Sequence, residues 1–281
     1  HAGCDGPETG RAVNRAAQTP VLSVRRLVVE LRGDGHRTRA VDRIDFDLYA
    51  GEILALVGES GSGKSKTAEA VMGLIDPVRG IVTADCIRLG DTDLHGLGES
   101  ALRRIRGRDL SMVFQEPMTA LDPVFSCGEQ LAALYRRHRG YDRRRARQAA
   151  ALMFARIGFS DPEQVMRSYP HHLSGGMRQR VIVAMALSCR PRVLIADEPT
   201  TALDVTTQAR VLTQMIALAG ETGTALLLIT HDLGIVAQYC DRALVMRRGR
   251  LVEDAAVRDL FRAPQSPYTA ELIAASRGAG A

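Results

Sequence analysis

Three short stretches of this chain are apolar at every position. They are Ile53–Val57, Val193–Ala196 and Ala225–Ile229. A continuous apolar run of four or five residues is typical of a parallel strand that is buried on both faces. Because helical patterns separate these runs, the chain is predicted to be an α/β protein with a mostly parallel sheet covered by helices on both faces.

Apolar residues recur at helical spacing between the predicted strands. Residues 67–72 predict a helix directly after the first strand, and residues 128–159 predict a longer helical region. A further helix is predicted to begin at Ser174. Another begins near Asp204, whose side chain is suited to cap its first turn.

Two regions alternate apolar and polar residues, which favours antiparallel strands. Residues 21–48 alternate on either side of a turn at 33–35, and residues 243–252 do so around Arg248-Gly249. Residues 81–115 are also strand-like, with a basic helix near 101–106. Residues 1–19 show no periodic pattern, and we expect them to be disordered or derived from a tag.

Composition and charge narrow the class of protein. With 46% hydrophobic and 25% charged residues among 281, the chain resembles an ordinary globular protein. No apolar run reaches the roughly 18 residues that cross a bilayer. The five cysteines are widely spaced, which argues against a disulfide framework or a zinc site. The net charge of +5 leaves nucleic acid open as a partner, although the densest basic run, Arg143–Arg147, is better explained as a solvated helix face.

The chain has 37 lysine and arginine residues, and only Lys64 and Lys66 are lysines. Residues 58–65 fit the phosphate-loop pattern G-x-x-x-x-G-K-[ST] between a predicted strand and a predicted helix; Lys64 is the lysine of this pattern, and Lys66 follows it directly. Backbone amides and the helix dipole would surround phosphate oxygens, and Lys64 would reach the outer phosphates. The predicted nucleotide-binding residues are Gly58, Glu59, Ser60, Gly61, Ser62, Gly63, Lys64, Ser65, Lys66 and Thr67.

Two carboxylates follow the second apolar run. Asp197 is placed to hold Mg²⁺, directly or through water, and the hydroxyl of Ser65 is expected to be a second ligand. Glu198 is placed to deprotonate a water that attacks the γ-phosphate. The alternative is a strand followed by an acidic helix cap, which the phosphate loop makes less favourable.

The segment Leu173–Arg180, with the sequence Leu-Ser-Gly-Gly-Met-Arg-Gln-Arg, resembles the signature of the ATP-binding cassette (ABC) ATPases. Other elements match the family in the family's order over residues 20–262. They are Gln115 (Q-loop), Asp197 and Glu198 (Walker B and catalytic glutamate), Asp204 (D-loop) and His231 (switch histidine). The resemblance implies a P-loop NTPase fold of ABC type, with a RecA-like core sheet, an antiparallel β subdomain and a helical subdomain inserted at about 116–190. Residues 263–281 would form a short C-terminal extension.

The resemblance also implies roles for individual residues. Mg²⁺ would be held by Ser65, Gln115 and Asp197, and hydrolysis would use Glu198 and His231. The signature residues Ser174, Gly175, Gly176 and Met177 would face the ATP of a partner subunit, so that each site is shared by two chains. The aromatic residue that stacks on adenine in many members is replaced here by Leu31, and His36 is a candidate substitute.

Residues 114–123, Met177 and residues 264–269 resemble the ATPase subunits of oligopeptide, dipeptide and nickel importers. This branch implies peptide import, with nickel or another small solute as the alternative cargo. The expected partners are a second homologous ATPase subunit, two membrane-spanning permease subunits and an extracytoplasmic binding protein. This chain itself is expected at the cytoplasmic face of the bacterial inner membrane. A soluble ABC ATPase that acts on nucleic acid is the rival; the short interval between Gln115 and the signature disfavours it, and no nucleic acid is expected.

Overall fold

The structure, a computed structural model, describes residues 18–33, 37–114, 120–200 and 203–278. Its strands are β1 (Leu22–Arg32), β2 (Arg37–Leu48), β3 (Ile53–Val57), β4 (Gly80–Thr83), β5 (Cys86–Leu89), β6 (Thr92–Asp93), β7 (Leu110–Val113), β8 (Val193–Asp197), β9 (Ala225–Ile229), β10 (Arg242–Arg247) and β11 (Arg250–Ala256). Its α-helices are α1 (Lys64–Val71), α2 (Glu99–Ile105), α3 (Cys127–Arg139), α4 (Arg143–Arg156), α5 (Pro162–Arg167), α6 (Gly175–Leu187), α7 (Val205–Thr222), α8 (Leu233–Tyr239), α9 (Val257–Arg262) and α10 (Pro267–Gly278).

The central sheet has the order β11-β10-β3-β9-β8-β7 in the described part of the chain. Strands β10, β3, β9, β8 and β7 are parallel, and β11 pairs antiparallel with β10 at the edge. The three apolar runs are β3, β9 and β8, which lie side by side. The predicted parallel sheet and the hairpin at Arg248-Gly249 are therefore confirmed.

A second sheet is antiparallel. Strand β1 pairs with β2, with Leu22 opposite Leu48, and also with β4 and β5; β6 continues the sheet from β5. This arrangement confirms the antiparallel region expected from the alternating pattern of residues 21–48. Part of the turn between β1 and β2 lies outside the described residues.

Strand β8 shows how the central sheet is covered on both faces. Val193 and Ile195 pack into one hydrophobic cluster, with α1 and the antiparallel sheet. Leu194 and Ala196 pack into another cluster, with α3, α4, α6 and α7. Successive side chains of a strand point to opposite faces, so a run that is apolar throughout requires cover on both sides.

The helical layer lies between β7 and β8 in the sequence. The helical region predicted at 128–159 is two helices, because Gly140 ends α3 in the left-handed conformation (φ 63°) and Asp142 caps α4. Helix α3 begins with a capping box, in which Ser126 and Glu129 each accept a hydrogen bond from the other's backbone amide. Across the described ranges, no helix combines the length and apolar content needed to cross a bilayer.

Candidate nucleotide site

The order of the parallel strands brings the predicted site residues to one edge. Neighbouring strands β3, β9 and β8 lead at their carboxyl ends into the phosphate loop, His231 and Glu198, respectively. Asp197, the last residue of β8, is paired in register with Ile229, the last residue of β9. In open parallel sheets the carboxyl edge is where ligands bind, and here it gathers cationic, acidic and imidazole groups.

Two glycines of the phosphate loop touch other backbone segments. Gly58 has φ 149°, and a Cβ on it would lie 2.1 Å from the carbonyl oxygen of Met246 in β10. Gly63 has φ 111°, caps α1, and would place a Cβ 2.3 Å from the carbonyl oxygen of Ala40 in β2. The shape of this loop therefore requires glycine at both positions, for conformation and for space.

Lys64 lies in the first turn of α1 and is only 5% exposed. Its ammonium group donates hydrogen bonds to the carbonyl oxygens of Gly58 (2.7 Å) and Glu59 (2.8 Å). Burial lowers the pKa of Lys64, while the carboxylates of Glu198, Asp197 and Glu59 favour its charged form. The loop thus folds around a single desolvated cation.

Asp197 is buried at the end of β8. Burial raises its pKa above the ordinary value, a shift that a hydrogen bond with Ser65 opposes. Its Oδ1 atom is buried and finds no hydrogen-bond partner among the residues that the structure describes. A buried carboxylate oxygen that lacks a donor, beside a serine hydroxyl, fits the oxygen ligands that Mg²⁺ prefers.

Glu198 is held in an unusual conformation directly after the strand. Its φ is 44°, which lies in the left-handed region. This conformation is energetically unfavourable for a residue other than glycine, and such strained residues cluster at functional sites. The Glu198 amide donates to the carbonyl oxygen of Ile229 (2.9 Å), which fixes the backbone beside β9. Its side chain is 17% exposed, and Oε1 lies 3.2 Å from Nδ1 of the more exposed His231. Glu198 and His231 line a common cavity of about 120 Å³.

The signature segment forms the N-terminus of α6. Ser174 caps this helix and accepts a hydrogen bond from the amide of Met177 (3.3 Å). Ser174 and Gly175 are exposed, and a Cβ on Gly176 would lie 2.4 Å from the methyl group of Thr207 in α7. Within the described ranges, residues 174–176 make no hydrogen bond to the phosphate loop. Because Ser174 and Gly175 are exposed, the start of this helix is accessible from solvent.

The remaining predicted residues have different positions. Lys66 pairs with Glu69 three residues further along α1 (2.6 Å), so its charge already has a partner. The hydroxyl of Thr67 donates to the carbonyl oxygen of Gly63 (3.0 Å) and is part of the helix start. Asp204 caps α7 through the amide of Thr207 (3.0 Å). Leu31 is half-buried in β1 and packs against the core.

Gln115, His36 and residues 116–119 of the importer-branch segment lie outside the described residues. The sequence of residues 264–269 marks the importer branch but does not predict a contact with the nucleotide site. In the structure, Tyr268 of this segment accepts a hydrogen bond from the phosphate loop. Local sequence could not predict this contact, because Tyr268 and its partner Glu59 are 209 positions apart in the sequence.

The profile of the ABC transporter family matches residues 41–201. The chain belongs to the ABC transporter family. It is an ATP-binding cassette, an ATP hydrolase coupled to transport, and the fold expected from the resemblance is confirmed.

Similar proteins include two from Bacillus subtilis (strain 168). The oligopeptide transport ATP-binding protein AppD is 52% identical over 83% of this chain and 71% of its own length. The dipeptide transport ATP-binding protein DppD is 47% identical over 90% of this chain and 76% of its own length. The glutathione import ATP-binding protein GsiA of Escherichia coli (strain K12) is 47% identical over 93% of this chain, which spans only 43% of that longer protein.

A solved structure shares the fold. The ATP-binding cassette MJ0796, in a dimeric post-hydrolysis state bound to ADP and Pi, has a TM-score of 0.72 and 25% sequence identity. The superposition covers 84% of this chain and 99% of that one.

Proposed function

We propose that this chain is the ATP-hydrolysing subunit of a bacterial importer of peptides, with Mg·ATP as its substrate. The observation that carries the ATPase assignment is the convergence of Lys64, Asp197, Glu198 and His231 at one edge of the central sheet. Peptide cargo is supported by identities of 52% and 47% to an oligopeptide and a dipeptide transport ATP-binding protein.

The phosphate loop binds the nucleotide. Its residues are Gly58, Glu59, Ser60, Gly61, Ser62, Gly63, Lys64, Ser65, Lys66 and Thr67. The positive end of α1 and the loop amides favour the phosphate oxygens, and Lys64 supplies the charge opposite the outer phosphates. Asp197, Ser65 and Gln115 would hold Mg²⁺, which offsets phosphate charge when bound.

Glu198 is the general base. Its carboxylate accepts a proton from the water that attacks the γ-phosphorus, and the bond from that phosphorus to the bridging oxygen breaks to release ADP and phosphate. His231 lies 3.2 Å from the carboxylate and holds it in orientation. Fixing Glu198 through both its strained backbone and its side chain favours the geometry of attack.

The site is completed by a second cassette. Ser174, Gly175, Gly176 and Met177 at the N-terminus of α6 form an amide cluster that would bind the γ-phosphate in the partner's loop, and Asp204 lies at that interface. The partner is a homologous ATPase subunit. Two membrane-spanning permease subunits and an extracytoplasmic binding protein complete the importer, and this chain lies at the cytoplasmic face of the inner membrane.

The catalytic assignment is tested by Glu198→Gln in the assembled complex. We expect ATP turnover to fall by at least about 100-fold while ATP binding persists. The glutamine amide has the same size as the glutamate carboxylate but cannot accept a proton from the attacking water. The matched control is Glu221→Gln, which makes the same change at an exposed position near the end of α7. Near-normal turnover of Glu198→Gln would contradict the role of this residue.

The cargo is tested on the complex purified through a tag on this chain and reconstituted with its binding protein. Dipeptides and oligopeptides should stimulate ATP turnover and accumulate inside proteoliposomes. Stimulation by Ni²⁺ but not by peptides would make nickel the cargo. Salt-sensitive stimulation by nucleic acid, without permease subunits in the purified complex, would contradict the transport assignment.

A further inference from the structure

The peptide group between Gly58 and Glu59 is held at both of its polar atoms. Its carbonyl oxygen, on Gly58, accepts a hydrogen bond from the ammonium group of Lys64 (2.7 Å). Its N–H group, on Glu59, donates to the phenolic oxygen of Tyr268 (3.2 Å). The C=O and N–H groups of a trans peptide point in opposite directions, so these two bonds together fix the orientation of the peptide plane.

Tyr268 is itself rigidly placed. It lies at the start of α10, is 4% exposed, and packs with Val57, Val245 and other apolar residues of the cluster beneath β3 and β10. The guanidinium of Arg247 lies 4.4 Å from the centre of its ring. The ring is thus fixed by packing and by a cation–π contact, and its hydroxyl is hydrogen-bonded to the phosphate loop.

The start of α10 is held by Glu253 in β11. The carboxylate of Glu253 accepts hydrogen bonds from the amides of Gln265 (2.8 Å) and Ser266 (3.0 Å), the residues just before the helix. Burial by itself would raise the pKa of Glu253, but these amide hydrogen bonds hold it below the ordinary value. A charged carboxylate therefore fixes the point from which Tyr268 projects.

We propose that Tyr268 is a positioning residue for nucleotide binding, which sets the Gly58–Glu59 peptide so that the phosphate loop holds Lys64 in place. The proposal rests on the proposed function of this loop. Glu253 acts indirectly, because it holds the start of the helix that carries Tyr268. Helix α10 thus helps to shape the nucleotide site, although its residues lie outside the motifs of that site.

Removal of the Tyr268 hydroxyl is expected to weaken ATP binding. Without this hydroxyl, the Glu59 amide loses its hydrogen-bond acceptor, and the peptide group is held only by the bond from Lys64 to the Gly58 carbonyl oxygen. Gly58, at φ 149°, has no side chain to resist rotation of this peptide. A rotated peptide takes its carbonyl away from Lys64, so the cation loses one of its fixed partners. The loss of a hydrogen bond of this kind predicts ATP binding that is about 3- to 10-fold weaker.

The test is Tyr268→Phe in the full chain, with Tyr239→Phe as the matched control. Phenylalanine keeps the buried ring and its contact with Arg247 and removes only the hydroxyl. Tyr239 loses the same group at a site where it bonds Thr213 between α7 and α8. We expect weaker Mg·ATP binding by calorimetry and faster hydrogen exchange of the Glu59 amide by NMR in Tyr268→Phe, and neither change in the control.

A second variant, Glu253→Gln, tests the path through α10. It should weaken ATP binding in the wild-type background and have little further effect in Tyr268→Phe, because both act on the same peptide. If the wild-type chain binds ATP in a Lys64-dependent manner but Tyr268→Phe binds equally well, with unchanged exchange at Glu59, the positioning role is wrong and the proposed function survives. If Lys64→Ala leaves ATP binding unchanged, the assignment of the phosphate loop itself is wrong.

Discussion

Gly58→Ala is predicted to abolish useful nucleotide binding, although it adds a single methyl group. The new Cβ would lie 2.1 Å from the carbonyl oxygen of Met246, where ordinary contacts begin at 3.4 Å. The carbonyl oxygen of Met246 cannot move away easily, because it belongs to the backbone of β10. This strand is paired with β3 on one side and with β11 on the other. The loop must therefore move by more than about 1 Å, a displacement of the size that costs a binding or catalytic site about 100-fold.

Gly61→Ala separates this clash from backbone strain. Gly61 belongs to the same loop and also has a positive φ, 77°, but a Cβ there meets no atom of the described residues within 4 Å. Its cost is the left-handed conformation alone, about 1–2 kcal/mol. For Gly58→Ala, steric strain of about 1–3 kcal/mol adds to a comparable conformational cost.

Calorimetric titration with Mg·ATP and thermal unfolding together distinguish the two variants. We expect Gly58→Ala to lose at least about 100-fold in ATP affinity, and Gly61→Ala to lose less than about 10-fold. A stability loss of about 1 kcal/mol corresponds to a fall in Tm of about 2–4 °C for a protein of this size. If Gly58→Ala bound ATP with wild-type affinity, the close approach of the loop to β10 would not determine its shape.

Two predictions concern stability. Glu52→Gln should destabilise the protein by about 1–3 kcal/mol in urea unfolding, because it neutralises the buried partner of Arg242 (2.9 Å), although Arg242 keeps its ion pair with Asp254 (2.8 Å). Arg103→Gln, in an exposed pair, should cost less than about 1 kcal/mol. Equal costs would refute this reasoning. Hydrogen bonds from the backbone and side chain of Ser126 lower the pKa of Glu129, so its stabilising contribution is complete above its ordinary pKa of 4.5 and is lost as the pH falls through the lowered folded value. The difference in urea midpoint between wild type and Glu129→Gln should therefore shrink on acidification below pH 4.5, and a constant difference down to the acid transition would count against it.

The sequence predicts the central sheet well because the signal is local. Each of β3, β8 and β9 is an uninterrupted apolar run, and a strand covered on both faces can hardly have another composition. The short helices α5, α8 and α9 gave no comparable signal. A helix of six or seven residues completes fewer than two turns, so it cannot show a repeated apolar face.

The residues of the phosphate loop and the carboxylates of β8 could be located by motif, but their surroundings could not. Lys66 directly follows the phosphate-loop motif, but the motif does not reveal that the Lys66 ammonium group pairs with Glu69. Nor does it reveal the strained φ of 44° at Glu198, which depends on the amide hydrogen bond to Ile229 in the neighbouring strand. These properties depend on rotamers and on strand order.

The phosphate loop is recognised locally but receives its shape from distant parts of the chain. Met246 in β10 limits Gly58, Ala40 in β2 limits Gly63, and Tyr268 in α10 holds the amide of Glu59. The amide of Gly249, in the turn after β10, also donates to the carbonyl oxygen of Ser62 (2.8 Å). A loop of glycines and small polar residues has little tendency to adopt one conformation by itself. These contacts therefore restrict the backbone of the loop to one conformation. An intact motif is therefore necessary but not sufficient for nucleotide binding, and substitutions in β10 or α10 should weaken it without touching the motif.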